Sequence, residues 1–239
     1  MKGVILAGGL GTRLHPLTLI TNKHLLPVHN KPMVVYPLEV LRESGIGEIM
    51  IVCGREHGGH FMNFLGSGKN HGVKLSYALQ DTNNGGIADA LRHVEDFVAD
   101  SDIAVILGDN IFEDDFREAV ARFRHGSMIF LKEVEKPHRF GVAVFDETGE
   151  KIVSIEEKPS EPKSNFAQTG FYIFDNRIFS IIKELKPSHR GELEITDAVN
   201  KYLEWGELEF SFVKGFWSDA GTFDTLLKAS VWAATRSHL

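Results

Sequence analysis

Short runs rich in valine and isoleucine alternate with stretches of helical spacing, and no other feature of this chain limits its fold as strongly. The apolar runs cover residues 4–7, 48–53, 73–80 and 103–107, and helices are predicted between them over 32–44, 59–65 and 87–98. Strands that are apolar on both faces must be covered on both, and strands separated by helices pair in parallel through crossovers. The expected result is a doubly wound, Rossmann-like α/β sheet with helices on both faces. The stripe Ile87, Leu91, Val94 and Val98, and Gly45 at the end of the first helix, support these assignments. The later half adds a helix over 114–124, then strands over 141–145 and 151–157 on either side of a turn at Gly149. A proline-bearing loop over 158–168 precedes a strand at 171–174, and helices over 177–185, 195–205 and 223–236 complete the pattern. With no repeat and no linker, this half is expected to extend the same sheet. That makes the sheet mixed but mostly parallel, and residues 1–239 a single domain.

A chain of 239 residues can bury roughly 70% of its extended surface and needs no disulfide or metal staple. Its 26 Lys and Arg against 33 Asp and Glu leave a net charge of −7, so the basic footprint of a nucleic-acid binder is missing. Any anionic ligand must be met by a local cluster of cations. The one cysteine, Cys53, excludes an internal disulfide and suits a reducing compartment. No segment reaches the ~18 apolar residues of a membrane span, and the N-terminal run is too short for a signal peptide. A cytoplasmic protein without membrane partners is expected, and the sequence leaves the choice between monomer and homo-oligomer open.

The first strand runs straight into a glycine-rich turn that ends on a cation, from Gly3 through Gly8, Gly9, Gly11 and Thr12 to Arg13. Without a Cβ in the way, backbone amides of such a turn approach phosphate oxygens closely. Two familiar phosphate loops are disfavoured. No Gly-Lys-Ser/Thr follows, as a P-loop requires, and Leu14 stands where a dinucleotide-binding loop needs its third glycine or alanine. Glycine turns after strands also arise simply as tight crossovers, so the loop alone leaves phosphate binding an even choice. Arg13 and Lys23, placed to meet one anion, tip it toward a polyphosphate.

Along the chain stand GGLGTRLHPLT from Gly8, KHLLPV from Lys23, KPM from Lys31, LGDNIF from Leu107, FGVAVFD from Phe140, EEKP from Glu156, TGFYIFD from Thr169, RGELEITD from Arg190 and WSDAGT from Trp217. In this order, and over nearly the whole chain, they resemble the motifs of the sugar nucleotidyltransferases, most of all the short members that use dTTP and glucose 1-phosphate. The resemblance implies a glycosyltransferase-A-like nucleotidyltransferase fold, with residues 1–125 mainly binding nucleotide and 126–239 mainly binding sugar. It implies attack by the sugar phosphate on the α-phosphorus of dTTP, giving dTDP-glucose and pyrophosphate. Phosphate oxygens are nucleophiles already, so positioning and charge neutralisation should dominate, and no Ser-His-Asp triad is needed.

Carried over residue by residue, the resemblance makes Arg13 and Lys23 catalytic. It places the nucleotide against Leu6, Ala7, Gly8, Gly9, Gly11, Thr12 and Arg13, with Gln80, Gly85 and Gly86 at the base. Mg²⁺ falls to Asp109 and Asp219, and the sugar and its phosphate to Asn110, Gly141, Glu157, Lys158, Gln168 and Arg190. Spacing alone would read both aspartates as turn residues and Glu156 to Lys158 as a solvated charge run. Two departures stand out: Gln168 occupies a position where relatives commonly carry valine, and the spacer between Gln80 and Gly85 is one residue longer. UTP and CTP therefore stay open as nucleotides, and a catalytically silent nucleotide-sugar sensor stays open as a different class of function. Retention of Arg13, Lys23, Asp109 and Asp219 favours the enzyme. Longer relatives add C-terminal helices that help form a regulatory nucleotide site, so feedback by a dTDP-sugar is expected to be competitive here. A zinc site at Cys53, His57 and His60 is disfavoured, because a buried cysteine beside a polar loop explains the same residues.

Overall fold

The computed structural model describes residues 1–80 and 85–236. Its strands are β1 (Lys2–Ala7), β2 (Pro27–Val28), β3 (Lys31–Pro32), β4 (Glu48–Gly54), β5 (Lys74–Gln80), β6 (Ile103–Leu107), β7 (Ile111–Phe112), β8 (Ser127–Glu133), β9 (Gly141–Phe145), β10 (Ile152–Glu157), β11 (Phe166–Phe174), β12 (Leu208–Phe212) and β13 (Trp217–Ser218). The helices are α1 (Val35–Glu43), α2 (Gly58–Leu65), α3 (Gly86–Leu91), α4 (Glu95–Val98), α5 (Arg117–Arg122), α6 (Ile178–Glu184), α7 (Ile195–Glu204) and α8 (Phe223–Arg236).

The period of two along β1 decides the layering. Val4 and Leu6 join one core with Leu91, Ile178, Ile182 and Val199, whereas Ile5 and Ala7 join a second core with Leu38, Leu41, Phe61 and Leu65. Thus α3, α6 and α7 cover one face of the sheet, and α1 and α2 the other, as a doubly wound fold requires. A smaller cluster of Val28, Met33, Tyr36, Ile111, Ala229 and Ala233 seats α8.

The described residues form a nine-stranded sheet. Its parallel half runs β5-β4-β1-β6. Next to β6 lies antiparallel β11, with β8 on its other edge and β12 parallel to β8 outside that. Along the edge it shares with β6, β11 changes partner: Phe171 to Phe174 pair with β6, but Ala167 pairs with β9, and on the opposite edge the register with β8 slips between Gln168 and Tyr172. β6 therefore ends where β9 begins, and the gap between them opens over the slip.

Several elements differ from expectation. β8 and β12 were not anticipated, and β11 starts at Phe166, five residues early, because Phe166 and Ala167 pair with Glu133 and Lys132 of β8. Lys31 and Pro32 pair with β2, which delays α1 to Val35. The stripe from Ile87 to Val98 is kept, but α3 and α4 are separated by a 3₁₀ turn over Arg92–Val94.

Candidate active site

Chain order and sheet order diverge beside β1. From β1 the chain moves outward to β4 and β5, then returns to the opposite side of β1 as β6. The loops after β1 and β6 turn away from each other there, and open α/β sheets bind ligands at such a point. Gly8 and Gly9 follow β1, and Gly108 and Asp109 follow β6.

The loop after β1 is an anion cradle by its backbone. Among the described residues, no amide from Gly9 to Arg13 donates to another protein group, so these donors are left for solvent or ligand. Gly11 holds the left-handed conformation, with φ 66°, that only glycine adopts cheaply. A Cβ on Gly9 would sit 3.2 Å from Cε of Lys23, so glycine leaves a track for that side chain. A Cβ on Gly8 would strike Oε1 of Gln80, which is buried at the end of β5.

Lys23 and Asp109 meet across the switch point, with Nζ 2.5 Å from Oδ2 and the side chains only 13% and 11% exposed. Burial works most strongly against the charge on Asp109, but the Lys23 ammonium together with the hydrogen bonds from Lys23 and Asn110 outweighs it and holds the carboxyl below the usual range. The other oxygen of Asp109 accepts from Nδ2 of Asn110 at 3.0 Å. Next in sequence to Lys23, His24 is driven down to about 3 by burial and by that lysine, so it stays neutral and adds no charge.

Asp219 reaches the same place from far along the chain because β13 pairs with β7, setting Ser218 against Ile111. Burial and the nearby charge of Asp109 raise its pKa, opposed by Arg139 and Arg13. Arg139 Nη2 lies 3.2 Å from Asp219 Oδ2. Asn110 ties these parts together. Its Oδ1 accepts from Gly170 N at 2.9 Å and from Trp217 Nε1 at 2.7 Å, and a Cβ on Gly170 would come within 2.7 Å of the Asn110 amide.

Across the gap, Glu157 ends β10 opposite Gly141 of β9. Its Oε2 accepts from Thr196 Oγ1 at 2.5 Å, and Oε1 lies 3.6 Å from Lys158 Nζ and 3.5 Å from Arg190 Nη1. Arg190 is shared further with Glu192 at 3.0 Å and Glu194 at 3.2 Å. Gln168 is buried, and its Oε1 and the hydroxyl of Thr169 have no partner among the described residues.

A cavity of about 500 Å³ is lined by Thr12, Arg13, Asp109, Asn110, Arg139, Gly141, Glu157, Lys158, Gln168, Arg190 and Asp219. A neighbouring one of about 360 Å³ is lined by Leu6, Gly8, Gly9, Lys23, Gln80 and Gly86, and shares Arg13, Asp109, Lys158 and Arg190 with the first. The sequence candidates thus converge, with three set behind the lining. Ala7 is fully buried, its carbonyl accepting from Asn22 at 3.4 Å; Gly11 packs toward Thr18 and Lys23; and Gly85 accepts from Leu193 N at 2.9 Å. The long spacer at 81–84 lies outside the described residues. Sequence reasoning missed Arg139 and Thr196; only the neighbouring Phe140-Gly141 and Glu194-Ile195 positions carried any signal. Cys53 belongs to the core and its thiol is pushed up to about 11 by burial, while His57 and His60 stack on each other at 5.5 Å.

The chain belongs to the nucleotidyl transferase family, whose model matches residues 2–236. It is 44% identical to the glucose-1-phosphate thymidylyltransferase of Neisseria meningitidis serogroup A over 246 residues, covering all of this chain and 84% of that protein. It is also 44% identical to the enzyme of that name from Mycolicibacterium smegmatis, covering 98% of this chain and 83% of the relative. A Bacillus anthracis crystal structure that carries the name glucose-1-phosphate thymidylyltransferase and holds a sucrose superimposes with a TM-score of 0.92 at 51% identity, covering 98% of this chain and 95% of the other. A UDP-glucose pyrophosphorylase complexed with UDP-glucose matches at 0.85 and 27% identity, covering 98% of both chains. No helix among the described residues is long and apolar enough to cross a membrane.

Proposed function

We propose that this chain joins glucose 1-phosphate to dTTP, releasing pyrophosphate and dTDP-glucose. The observation that carries this reading is the opposition, across one connected cavity, of two cationic groups of different character. The glycine loop with Arg13 and Lys23 lies on one side, Glu157 with Lys158 and Arg190 on the other, and Asp109 and Asp219 between them. Such a layout suits two anions that must be brought together against their repulsion.

In the reaction a phosphate oxygen of glucose 1-phosphate bonds to the α-phosphorus as the bond from that phosphorus to the bridging oxygen breaks. The bridging oxygen leaves with the electron pair as part of pyrophosphate. The attacking oxygen is already anionic, so no proton need be removed, in keeping with a His24 whose pKa of about 3 makes it a weak base. Arg13 offers a planar fork to the departing pyrophosphate, and the amides of Gly9 to Thr12 bind the same oxygens. Lys23, released from Asp109, meets the α-phosphate as a compact charge. Each such preorganised donor is worth about 10²–10³ in kcat. Lys158 and Arg190 take the phosphate of the sugar, while Glu157, Gly141 and the unpartnered groups near Gln168 face its hydroxyls. Gln80 and Gly86 flank the base. The parallel half of the sheet thus serves the nucleotide and the antiparallel half the sugar.

Asp109 and Asp219 are hard oxygen donors, a donor set that fits Mg²⁺ completed by phosphate oxygens and water. When bound, the ion neutralises triphosphate charge and polarises the phosphoryl group.

Likeness to a UDP-glucose pyrophosphorylase keeps UTP as the second reading, since one methyl group in a pocket is worth only ~1–3 kcal/mol. Pyrophosphate release measured over dTTP, UTP, CTP and ATP against several hexose 1-phosphates tests both. The highest kcat/KM is expected with dTTP and glucose 1-phosphate. A purine preference would overturn the assignment, and no release with any pair would point to a nucleotide-sugar sensor.

A further inference from the structure

We propose that Arg139 is a positioning residue that holds the Asp219 carboxylate in the orientation a metal ion needs. The inference rests on reading Asp219 as a metal ligand, as above.

Asp219 sits on backbone that does little to fix its side chain. It follows the two-residue strand β13, and the next two residues are Ala220, with φ 25°, and Gly221. The carboxylate must therefore be steered by neighbours. Arg139 supplies one, its Nη2 3.2 Å from Oδ2, with the pair mostly shielded at 29% and 14% side-chain exposure.

Arg139 is itself held. It closes the 3₁₀ turn Pro137–Arg139 just before β9, and its guanidinium lies 5.6 Å from the ring centre of Phe140. The Phe140 ring packs on Trp217 at 5.3 Å, and Trp217 stands two residues before Asp219. The Phe140–Trp217 ring pair thus links the segment that carries Arg139 to the one that carries Asp219, and so constrains both ends of the ion pair.

The neighbouring carboxylate gives the comparison. Asp109 has Lys23 on one oxygen and Asn110 on the other, so it keeps a steering partner when Lys23 turns to phosphate. Arg139 does for Asp219 what Asn110 does for Asp109. Groups that orient metal-ligating carboxylates in this way typically contribute about 10–100-fold to metal affinity.

The test is Mn²⁺ titrated into the full chain with dTTP and no sugar phosphate, so that no turnover occurs, with protein-bound ion read by water-proton relaxation. Arg139→Gln is expected to weaken Mn²⁺ by about 10–100-fold, the cost usual for losing such a partner, while KM for glucose 1-phosphate stays within about twofold. Arg139→Lys, which keeps charge and a donor, is expected to recover part of the affinity. Thermal midpoints of both variants separate this effect from misfolding. Unchanged Mn²⁺ affinity with a raised KM for glucose 1-phosphate would make Arg139 a sugar-phosphate ligand and overturn the proposal. No change in either would make the pair an idle contact and overturn it too. Failure of the unaltered protein to make dTDP-glucose would defeat the functional reading, whereas the relaxation readout needs no turnover and judges Arg139 separately.

Discussion

The two sides of the cavity hold charge in different ways. On the parallel-sheet side, one lysine and one aspartate form a single close pair at 2.5 Å, both nearly buried, beside a loop whose free amides come from consecutive residues. On the antiparallel side, one carboxylate, Glu157, is divided among Thr196, Lys158 and Arg190, with the two cations at 3.6 and 3.5 Å and more open to solvent. The first arrangement is committed: each partner loses a great deal if the other goes. The second is distributed, and removal of one member leaves the rest to compensate. A site that must stabilise charge as a bond breaks gains from the committed form, where low local dielectric strengthens each interaction. One that must recognise and release a sugar gains from the distributed form.

The sharpest way to break this contrast is Lys23→Met. It removes the charge proposed to meet the reacting phosphate and also leaves Asp109 without its ion-pair partner. Turnover is expected to fall about 10²–10³-fold with KM for glucose 1-phosphate little changed. Because breaking a buried pair from one side costs up to ~3–5 kcal/mol, the ligand-free variant should also unfold more readily. Initial-rate kinetics with a thermal melt read both. Loss of sugar affinity instead of turnover would mean that the two sides have been assigned the wrong way round. On the distributed side, Glu157→Gln keeps the size and the contact with Thr196 but removes the charge that two cations share. Hydrogen bonds to a charged group contribute ~1.5–3 kcal/mol, so KM for glucose 1-phosphate is expected to rise roughly 10–100-fold while dTTP binding by calorimetry holds. An equal loss in dTTP affinity would show that the cations of the two sides act as one group.

The same contrast explains how much could be read from sequence. The glycine loop was legible because what it presents is a run of consecutive free backbone amides, and glycine, threonine and arginine in order announce such a turn. The doubly wound half was legible because strands such as β1 and β6 are apolar on both faces. The expected positions of Asp109 and Asp219 rested on resemblance to a family, since their meeting depends on β7 pairing with β13, which no local pattern specifies. Arg139 left no trace, because its partner is 80 positions away and the run from Lys136 to Arg139 reads as ordinary surface. β8 and β12 did carry signals, an apolar run from Met128 to Leu131 and an alternation of Leu208, Phe210 and Phe212. Runs that short do not separate strand from other structure until a partner strand is known.

A third carboxylate measures what burial and pairing do without catalysis. Asp175, at the end of β11, accepts from Gly126 N at 2.8 Å, Arg177 Nη2 at 2.6 Å and Tyr202 Oη at 2.8 Å. Burial disfavours its charge, but Arg177, the Gly126 amide and Tyr202 outweigh this and hold its pKa below the ordinary value. It resembles Asp109 in being buried, charged and tied to a cation, yet it lines neither cavity of the candidate site. Asp175→Asn is therefore expected to cost about 1–3 kcal/mol of stability at neutral pH and nothing in kcat/KM. The sign of the pH dependence follows from the lowered pKa. Between the folded value and the unfolded value near ~3.9, the unfolded chain binds more protons, so this contribution is full above that window and is lost as pH falls through it. Urea unfolding at stepped pH should find the gap between the unaltered protein and Asp175→Asn constant near neutrality and closing below about pH 4. A gap independent of pH would mean that the interaction works through shape and hydrogen-bond geometry, and that charge distinguishes Asp109 from Asp175 less than their surroundings do.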